Sequence, residues 1–245
     1  MSRETWIVLG ATSSIARAFA RQMAEEGHSL VLAGRDAAEL EALTSDCRLR
    51  GAPAAVPTRI DMRAPETFGP VIEKATAGEG AVCAAVFTGS MPEQAAIDAD
   101  PSLIEGVVSD SHTGPARFLQ MLAPVMETRG GAVVGVGSVA GDRGRLGNYV
   151  YGSAKAGFHA YLSGLRNRLG RQGVPVLTVK PGFVDTAMTW GIEGMFLVAD
   201  PADVARRIRR ALRRDKGVIY APGFWWTIMT IIRAIPEPVF RKMKI

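Results

Sequence analysis

Short apolar segments alternate with longer amphipathic segments along almost the whole of this 245-residue sequence. Such alternation is typical of β-strands joined by crossover helices, which build a parallel sheet. The predicted strands are residues 5–9, 29–33, 54–61, 81–87, 131–137, 174–179 and 217–220. The predicted helices are residues 13–26, 37–50, 65–76, 101–128, 149–171 and 201–214.

Most of these strands lack the polar alternation of a sheet with one wet face, so helices are expected on both faces. No repeat or long Pro/Gly/Ser-rich linker divides the chain. The sequence therefore predicts an α/β fold with a doubly wound, mostly parallel, seven-stranded sheet. We expect a single domain over residues 1–245, with residues 217–245 as an apolar and basic C-terminal extension.

Net positive charge is concentrated in the tail. The chain holds 29 Lys and Arg residues against 24 Asp and Glu, a formal charge of +5. Residues 1–200 hold 18 basic and 21 acidic residues, whereas residues 201–245 hold 11 and 3. This distribution argues against a wholly basic nucleic-acid-binding protein. Residues 201–245 form this basic tail, which could contact a phosphorylated ligand, an anionic membrane surface or only solvent.

Cysteine and histidine usage excludes two further classes of protein. The two cysteines, Cys47 and Cys83, are too few for a disulfide framework, and a reducing cytoplasm suits them. The three histidines, His28, His112 and His159, are not at metal-ligand spacings, so no metal site is predicted. The first 15 residues show no secretory signal, and a cytoplasmic location is expected.

The turn between the first strand and the first helix is a candidate phosphate-binding loop. Backbone N–H groups at a helix N-terminus bind a pyrophosphate where small residues let it approach. Gly10, Ser14 and Ala16 occupy the three places usually given to glycine. The candidate cofactor-binding residues of this loop are Gly10, Thr12, Ser13, Ser14 and Ile15. A plain helix start capped by Thr12 or Ser13 is the alternative.

Two residues at strand ends bear on the choice of cofactor. Gly34 stands where an NAD-binding fold usually has a carboxylate for the ribose hydroxyls, and Arg35 follows it. The planar fork of Arg35 suits a 2′-phosphate, which favours NADP(H), although Arg35 could also be an ordinary surface residue. Asp61 could accept a hydrogen bond from the adenine amino group or cap the next helix.

Tyr151 and Lys155 are four positions apart on one predicted helix and therefore share a face. A lysine cation beside a phenol favours phenolate. Lowering a Tyr pKa from about 10 to 7 requires roughly 4 kcal/mol, which needs a partly dry site with a bound nicotinamide cation assisting. Ser138 closes a predicted strand, at the edge where ligands of open α/β sheets bind. These three residues are the candidate catalytic group, with Ser138 holding a substrate carbonyl oxygen.

With these motifs the chain resembles the short-chain dehydrogenase/reductase family over nearly its full length. The resemblance implies a Rossmann-type fold in which the Ser and Tyr hydrogen-bond a carbonyl oxygen, the Tyr donates the proton, and the Lys binds the nicotinamide ribose. It also implies that the turn after the sixth strand contacts the cofactor, with Thr186 near the carboxamide. The cofactor contacts expected in that turn are Pro181, Gly182, Val184 and Thr186.

The chain departs from the family pattern at three places. The glycine-rich loop has Ser14 and Ala16. Thr88 and Gly89 end the segment in which the family has Asn-Asn-Ala-Gly, and they are the expected cofactor neighbours there. Ser111 stands where the family has an asparagine that anchors a water in the proton relay, and it is carried as a fourth candidate catalytic residue.

Within the family, the chain is most similar to the decaprenylphosphoryl-2-keto-ribose reductases. This similarity rests on Gly10 to Ser13, 150–153, 220–222, 235–236, 240–242 and Ile245. The resemblance implies a lipid-linked keto-sugar substrate supplied by a flavin oxidase. Residues 187–197 occupy the place of the family's substrate lid, and their apolar character, with Gly191 and Gly194 as hinges, favours a greasy substrate. A lid over any small substrate would also bury such residues.

The apolar run at 219–232 is too short to span a bilayer. Its aromatic residues, flanked by Arg and Lys, suit an interfacial helix on an anionic membrane, and a helix packed on the body or on a partner subunit is the alternative.

The leading hypothesis is an NADPH-dependent ketoreductase acting on a polyprenyl-phosphate-linked keto-sugar at the inner face of the cell membrane. A ketoreductase of a soluble carbonyl compound and a nucleotide-binding regulatory protein with little turnover are the alternatives. The family's habit of pairing its long helices, here 101–128 and 149–171, implies a homodimer or homotetramer.

Overall fold

A computed structural model describes residues 4–188 and 197–243. Its strands are β1 (Thr5–Leu9), β2 (Ser29–Gly34), β3 (Ala55–Arg59), β4 (Val82–Val86), β5 (Val133–Val136), β6 (Val176–Pro181) and β7 (Val218–Ala221). They form one sheet in the order β3-β2-β1-β4-β5-β6-β7, and every pairing is parallel. The α-helices are α1 (Ser14–Glu25), α2 (Ala37–Leu49), α3 (Phe68–Thr76), α4 (Gln94–Ala99), α5 (Leu103–Val108), α6 (Gly114–Arg129), α7 (Tyr149–Gly170), α8 (Pro201–Leu212), α9 (Trp225–Ala234) and α10 (Glu237–Phe240).

The sheet is covered on both faces, as the apolar strands predict. Trp6 and Val8 of β1 pack with side chains of α1, α2 and α8, whereas Ile7 and Leu9 pack with side chains of α3, α6 and α7. Successive strand residues point to opposite faces, so both faces must be apolar for both helix layers to dock. The Rossmann-type, single-domain prediction is confirmed, and the sheet is wholly parallel.

The strand order reverses at β1, which pairs with β2 on one side and β4 on the other. The connections after β1 and β4 therefore diverge to opposite faces and leave a crevice at the carboxyl ends of these strands. The cavity described below opens at this edge.

The predicted helix 101–128 is interrupted in the structure. A π-helical segment, Ser109–Thr113, separates α5 from α6. Pro115 contributes no N–H at the start of α6, and Arg63 donates hydrogen bonds of 3.0 and 2.7 Å to the two carboxylate oxygens of Asp110. Apolar periodicity alone could not show this change of hydrogen-bond pattern.

The C-terminal segment is integrated into the domain. β7 forms the sheet edge beside β6, and α9 buries Trp225 and Met229 against Val139, which follows β5. Arg143 donates hydrogen bonds of 2.6 Å to the carbonyl oxygens of Ile232 and Ile235. Packing of the tail on the body is thus observed. Within the described residues, no helix is long and apolar enough to cross a membrane.

Candidate active site

A cavity of about 990 Å³ opens at the carboxyl ends of β1, β4, β5 and β6. Most of the predicted site residues line it: Thr12, Ser13, Ser14, Ile15, Thr88, Ser138, Tyr151, Lys155, Pro181, Gly182, Val184 and Thr186. The described lining does not include Gly10, Arg35, Asp61, Gly89 or Ser111. The loop after β1, the end of β5 and the start of α7 are thus brought to one site.

Helix α7 positions Tyr151 and Lys155 on its buried face. The ammonium group of Lys155 donates hydrogen bonds of 3.0 Å to the Thr88 carbonyl oxygen and 3.1 Å to the Val136 carbonyl oxygen. Burial away from any carboxylate partner disfavours the cation and lowers the pKa of Lys155 to about 8. The lysine is therefore fixed at the ends of β4 and β5, with its Nζ 5.8 Å from the centre of the Tyr151 ring.

The phenol of Tyr151 is neutral in this environment. Burial raises the pKa of Tyr151 to about 12, and a hydrogen bond with the Ser138 hydroxyl opposes the rise only in part. The lowered Tyr151 pKa, which the sequence analysis expects with a bound nicotinamide cation, stays a prediction for the cofactor-bound protein. Without that cation, burial keeps the proton on the Tyr151 hydroxyl at neutral pH.

Ser138 is held from both sides. Its Oγ accepts a hydrogen bond of 3.1 Å from the Ala140 N–H, and its own N–H donates one of 3.3 Å to Nε2 of His159. A Cβ at Gly137 would overlap the His159 ring, so glycine is required there. Burial lowers the pKa of His159 to about 3, so the ring is neutral, and the hydrogen bond from the Ser138 N–H assigns its remaining proton to Nδ1.

Sequence reasoning missed a buried polar network behind Ser138. The Asp142 carboxylate accepts hydrogen bonds of 2.5 Å from Lys180 Nζ and 2.6 Å from the Tyr220 hydroxyl, and its side chain is buried. Nδ1 of His159 lies 3.9 Å from the same carboxylate. The network ties the ends of β6 and β7 to the turn that follows Ser138. An Asp four residues after the candidate serine was the available signal, but its partners are distant in sequence.

Ser111 lies behind Lys155. Its buried Oγ accepts a long hydrogen bond of 3.4 Å from the Ser90 N–H. A Cβ at Gly89 would lie 3.2 Å from Lys155 Nζ and 3.3 Å from Ser111 Oγ, so Gly89 is in contact with both. The structure thus places Ser111 beside Lys155, in the π-helical segment, on the side away from the described lining.

The β1–α1 loop has the properties that a pyrophosphate requires. Gly10 has a φ of +70°, and a Cβ there would lie 3.1 Å from the Phe87 backbone. The first turn of α1 has N–H groups without partners inside the helix, and Ser13, Ser14 and Ile15 of this turn line the cavity. The buried Thr88 hydroxyl has no partner among the described residues. Open donors and an unsatisfied hydroxyl in one cavity fit a dinucleotide.

The two strand-end residues lie outside this cavity. Arg35 is exposed at the end of β2. Asp61 accepts a hydrogen bond of 2.9 Å from the Arg63 N–H, so one of its carboxylate oxygens closes a local turn. Asp61 does not cap the next helix, because neither the turn at Pro65–Thr67 nor α3 has a side-chain cap. The adenine contact of Asp61 stays a prediction.

The turn after β6 forms the wall opposite the β1–α1 loop. A Cβ at Gly182 would overlap the Trp225 ring, so the tail packs directly on this turn. Met188 also lines the cavity, and it is the last described residue before 197. The predicted lid, with Gly191 and Gly194, lies largely in 189–196 and so outside the described residues, as does Ile245.

Comparison with known proteins identifies the family of this chain. A family model described as short chain dehydrogenase matches residues 4–195. The chain belongs to the short-chain dehydrogenase family. It is an oxidoreductase of that family, whose members use nicotinamide cofactors.

Two curated relatives are similar over almost the whole chain. An uncharacterized oxidoreductase of Mycobacterium tuberculosis is 34% identical, with 97% of this chain and 96% of the relative covered. An uncharacterized oxidoreductase of Streptomyces coelicolor is 33% identical, with 97% and 94% covered.

Two solved structures share the fold. A short-chain dehydrogenase from Sphingobium yanoikuyae in complex with NADPH matches with a TM-score of 0.80 and 24% identity, covering 96% of this chain and 97% of that one. An actinorhodin polyketide ketoreductase with NADPH matches with a TM-score of 0.79 and 21% identity, covering 91% and 97%.

Proposed function

We propose that this protein is an NADPH-dependent ketoreductase whose substrate is a polyprenyl-phosphate-linked keto-sugar. The observation that carries the proposal is the convergence of Ser138, Tyr151 and Lys155 in one cavity beside an open helix N-terminus. Two structures of the same fold hold NADPH, and one of them is a ketoreductase. The preference for NADPH is supported by Arg35, and the choice of substrate is supported by the cavity wall.

The bound cofactor supplies the hydride that reduces the ketone carbon. The first turn of α1 would hold its pyrophosphate, and Thr88 and Lys155 would bind its ribose. Arg35, which is exposed at the end of β2 and outside the cavity lining, would bind the 2′-phosphate. The 181–186 turn would hold the nicotinamide.

The chain's own residues bind and protonate the ketone oxygen. Ser138 and Tyr151 line the same cavity, and the Ser138 hydroxyl is close enough to lower the Tyr151 pKa, so a carbonyl oxygen bound there can accept from both hydroxyls. Because the Tyr151 pKa is raised to about 12, the hydroxyl keeps its proton until an alkoxide forms beside it. Charged Lys155 then stabilises the phenolate that remains.

The cavity wall suits a substrate with an apolar portion. Met91, Pro92, Phe183 and Met188 line the cavity together with the polar catalytic groups. A ketone on a sugar must first be made by oxidation of an alcohol, and we propose a flavin-dependent oxidase as its source. The reductase would then restore the alcohol in the cytoplasm, at the inner membrane face.

A substrate panel tests this function. Initial rates of NADPH oxidation are measured for the full chain with soluble ketones, keto-pentoses and prenyl-phosphate keto-pentoses. We expect the highest kcat/KM for a prenyl-phosphate keto-pentose. A higher kcat/KM for a soluble ketone would contradict the proposed substrate, and no rate above that of Tyr151→Phe with any ketone would contradict the enzyme and favour a regulatory role.

We also propose that the tail contacts an anionic membrane. Helix α9 buries Trp225 (2% exposed) and Met229 (0%) on the body, while Trp226 (60%) and Ile231 (61%) face outward. Exposed Arg233, Arg241 and Lys242 flank this apolar face. Aromatic and aliphatic side chains bordered by cations complement an anionic lipid surface.

Vesicle flotation with point variants tests the membrane contact without removing β7 or the buried face of α9. We expect the full chain to float with phosphatidylglycerol vesicles, and the double variant Trp226→Glu, Ile231→Glu to lose about tenfold or more in partitioning. Leu49→Glu, at an exposed leucine on α2, is the matched control and should float like wild type. Equal flotation of the double variant and wild type would contradict the contact.

A homo-oligomer remains a proposal, supported by exposed apolar side chains on the long helices. Ile104, Met121 and Tyr149 are exposed on α5, α6 and α7. We expect light scattering to give a dimer or tetramer, and Met121→Glu to shift it toward the monomer. A wild-type monomer at micromolar concentration would contradict this assembly.

A further inference from the structure

Arg145 is a half-buried cation of the cavity that the mechanism above does not use. It belongs to the loop between the turn after β5 and α7, and it lines the cavity with Asn148, Ser138 and Tyr151. The Asn148 N–H donates a hydrogen bond of 3.1 Å to the Arg145 carbonyl oxygen, and α7 begins at the next residue. Arg145 is therefore built into the same short turn that leads into Tyr151.

The side-chain Nε of Arg145 has no partner. It is buried and donates no hydrogen bond within residues 4–188 and 197–243. Burial lowers the pKa of Arg145, and the nearby Asp142 charge opposes this only in part, because that carboxylate already accepts from Lys180 and Tyr220. A buried guanidinium donor without an acceptor costs free energy unless a ligand supplies one.

Arg143, two residues earlier, shows what a satisfied arginine looks like in this loop. Its guanidinium donates to two carbonyl oxygens of the tail and forms a 3.0 Å ion pair with Glu237. Arg143 is thus a structural residue that holds the tail. Arg145 has the same side chain but points into the cavity, where Asn148 Oδ1 is also buried without a donor.

The position of Arg145 separates it from the cofactor's phosphates. The pyrophosphate loop follows β1, whereas Arg145 follows β5, two strands away in the sheet. In the sheet, β4 lies between β1 and β5, and Arg145 lines the cavity together with Ser138 and Tyr151. An anion bound at Arg145 would therefore belong to the substrate end of the cavity.

We propose that Arg145 binds a phosphate group of the ketone substrate and that the Asn148 side chain accepts a hydrogen bond from a sugar hydroxyl group of the same substrate. A planar guanidinium binds phosphate through two parallel hydrogen bonds, and the amide oxygen takes a hydroxyl donor. This inference rests on the proposed function and assigns the residues that select a phosphorylated keto-sugar over a neutral one. A free sugar phosphate and a lipid phosphodiester offer the same chemistry to Arg145, and the substrate series below distinguishes them.

Kinetics on a matched substrate series test the assignment. The full chain with NADPH is assayed on a keto-pentose, its 1-phosphate and its prenyl-phosphate diester. For both phosphorylated ketones, Arg145→Met should lower kcat/KM about 10- to 100-fold, the loss of hydrogen bonds to a charged group. For the neutral ketone the change should stay within about twofold. Arg145→Lys should be intermediate, because it keeps the charge and loses the fork.

Arg207→Met is the matched control, since Arg207 is exposed on α8 outside the cavity and the net charge changes equally. Equal losses on the neutral and phosphorylated ketones, or no loss on either, would overturn the assignment. A loss on the diester alone would place the effect on the lipid and also overturn it. Circular dichroism melts of each variant exclude unfolding as the cause.

A binding measurement separates this inference from the proposed function. Calorimetric titration of ribose 1-phosphate into the protein with NADP⁺ needs no turnover. We expect Arg145→Met to weaken binding about tenfold or more while Arg207→Met leaves it unchanged. If no ketone is reduced but this difference is found, the proposed function fails and the anion site stands. Equal binding to wild type and Arg145→Met overturns the site.

Discussion

The α1 end and the α7 end of the cavity offer a ligand different chemistry. At the α1 end the lining is made of backbone N–H groups and small uncharged side chains, among them Ser13, Ser14 and Thr88. At the α7 end the lining includes Tyr151 and the half-buried guanidinium of Arg145. The buried ion pair of Lys180 and Asp142 lies behind Ser138 at this end. A shared cofactor needs only the first kind of surface, so the residues that distinguish this protein from its relatives are expected at the second.

The largest predicted effect separates these two ends directly. Tyr151→Phe removes the proton donor and should lower kcat about 10²- to 10⁴-fold. The dissociation constant for NADPH, measured by fluorescence titration, should stay within about twofold, because the α1 end is untouched. Loss of cofactor affinity in parallel with kcat would show that the two ends do not act separately.

The network behind Ser138 should contribute to stability. Asp142→Asn leaves Lys180 without its carboxylate in a largely buried site and should lower the free energy of unfolding by roughly 2–4 kcal/mol. Asp46→Asn, which breaks the more exposed ion pairs with Arg21 and Arg50, is the control and should cost about 0–1 kcal/mol. Urea denaturation of both variants gives the values. Similar losses would mean that the buried network has no special weight.

Cofactor choice sharpens the comparison at the α1 end. Arg35→Ala should weaken NADPH binding about 10- to 100-fold by removing a charged partner of the 2′-phosphate, and should change NADH binding less than about twofold. Arg59→Ala, at the exposed end of the neighbouring strand β3, controls for net charge. Comparable losses for the two cofactors would remove the reason for preferring NADPH.

Near neutral pH, the smallest effect is the pH dependence set by Lys155. Its pKa is lowered to about 8, so the cation is present below pH 8 and is lost as the pH rises through this value. Ketone reduction, measured as kcat/KM for NADPH, should be level below about pH 7 and fall about tenfold per pH unit above 8. Tyr151, with its pKa raised to about 12, stays protonated over this range. A level profile from pH 7 to 10 would contradict this role of Lys155.

Local pattern was sufficient for the sheet and the catalytic helix. The apolar runs predict all seven strands, and the spacing of Tyr151 and Lys155 predicts one helix face, because both depend on neighbours in sequence. The π-helical segment escaped because Arg63 and Asp110 meet across 47 positions. The short helix α4 has no apolar period to reveal it. Arg145 was not singled out either, since only the fold shows which of two nearby arginines has a partner.

The sign of the Tyr151 pKa shift also required the structure. Sequence spacing places a cation near the phenol, but it does not give the depth of burial, which is the largest cause of the raised Tyr151 pKa. The same depth lowers the pKa of Lys155. Both side chains are therefore buried, and a bound cofactor and substrate would change the pKa of each.

Transfer of deuterium from NADPH to the substrate tests the central claim most directly. The full chain is incubated with NADPH deuterated at both hydrogens of nicotinamide C4 and a prenyl-phosphate keto-pentose, and the product is analysed by mass spectrometry. We predict an alcohol one mass unit heavier than the product made with ordinary NADPH, formed by wild type and, at the same time point, not by Tyr151→Phe. An alcohol without deuterium, or equal product from both proteins, would contradict hydride transfer with Tyr151 as the proton donor.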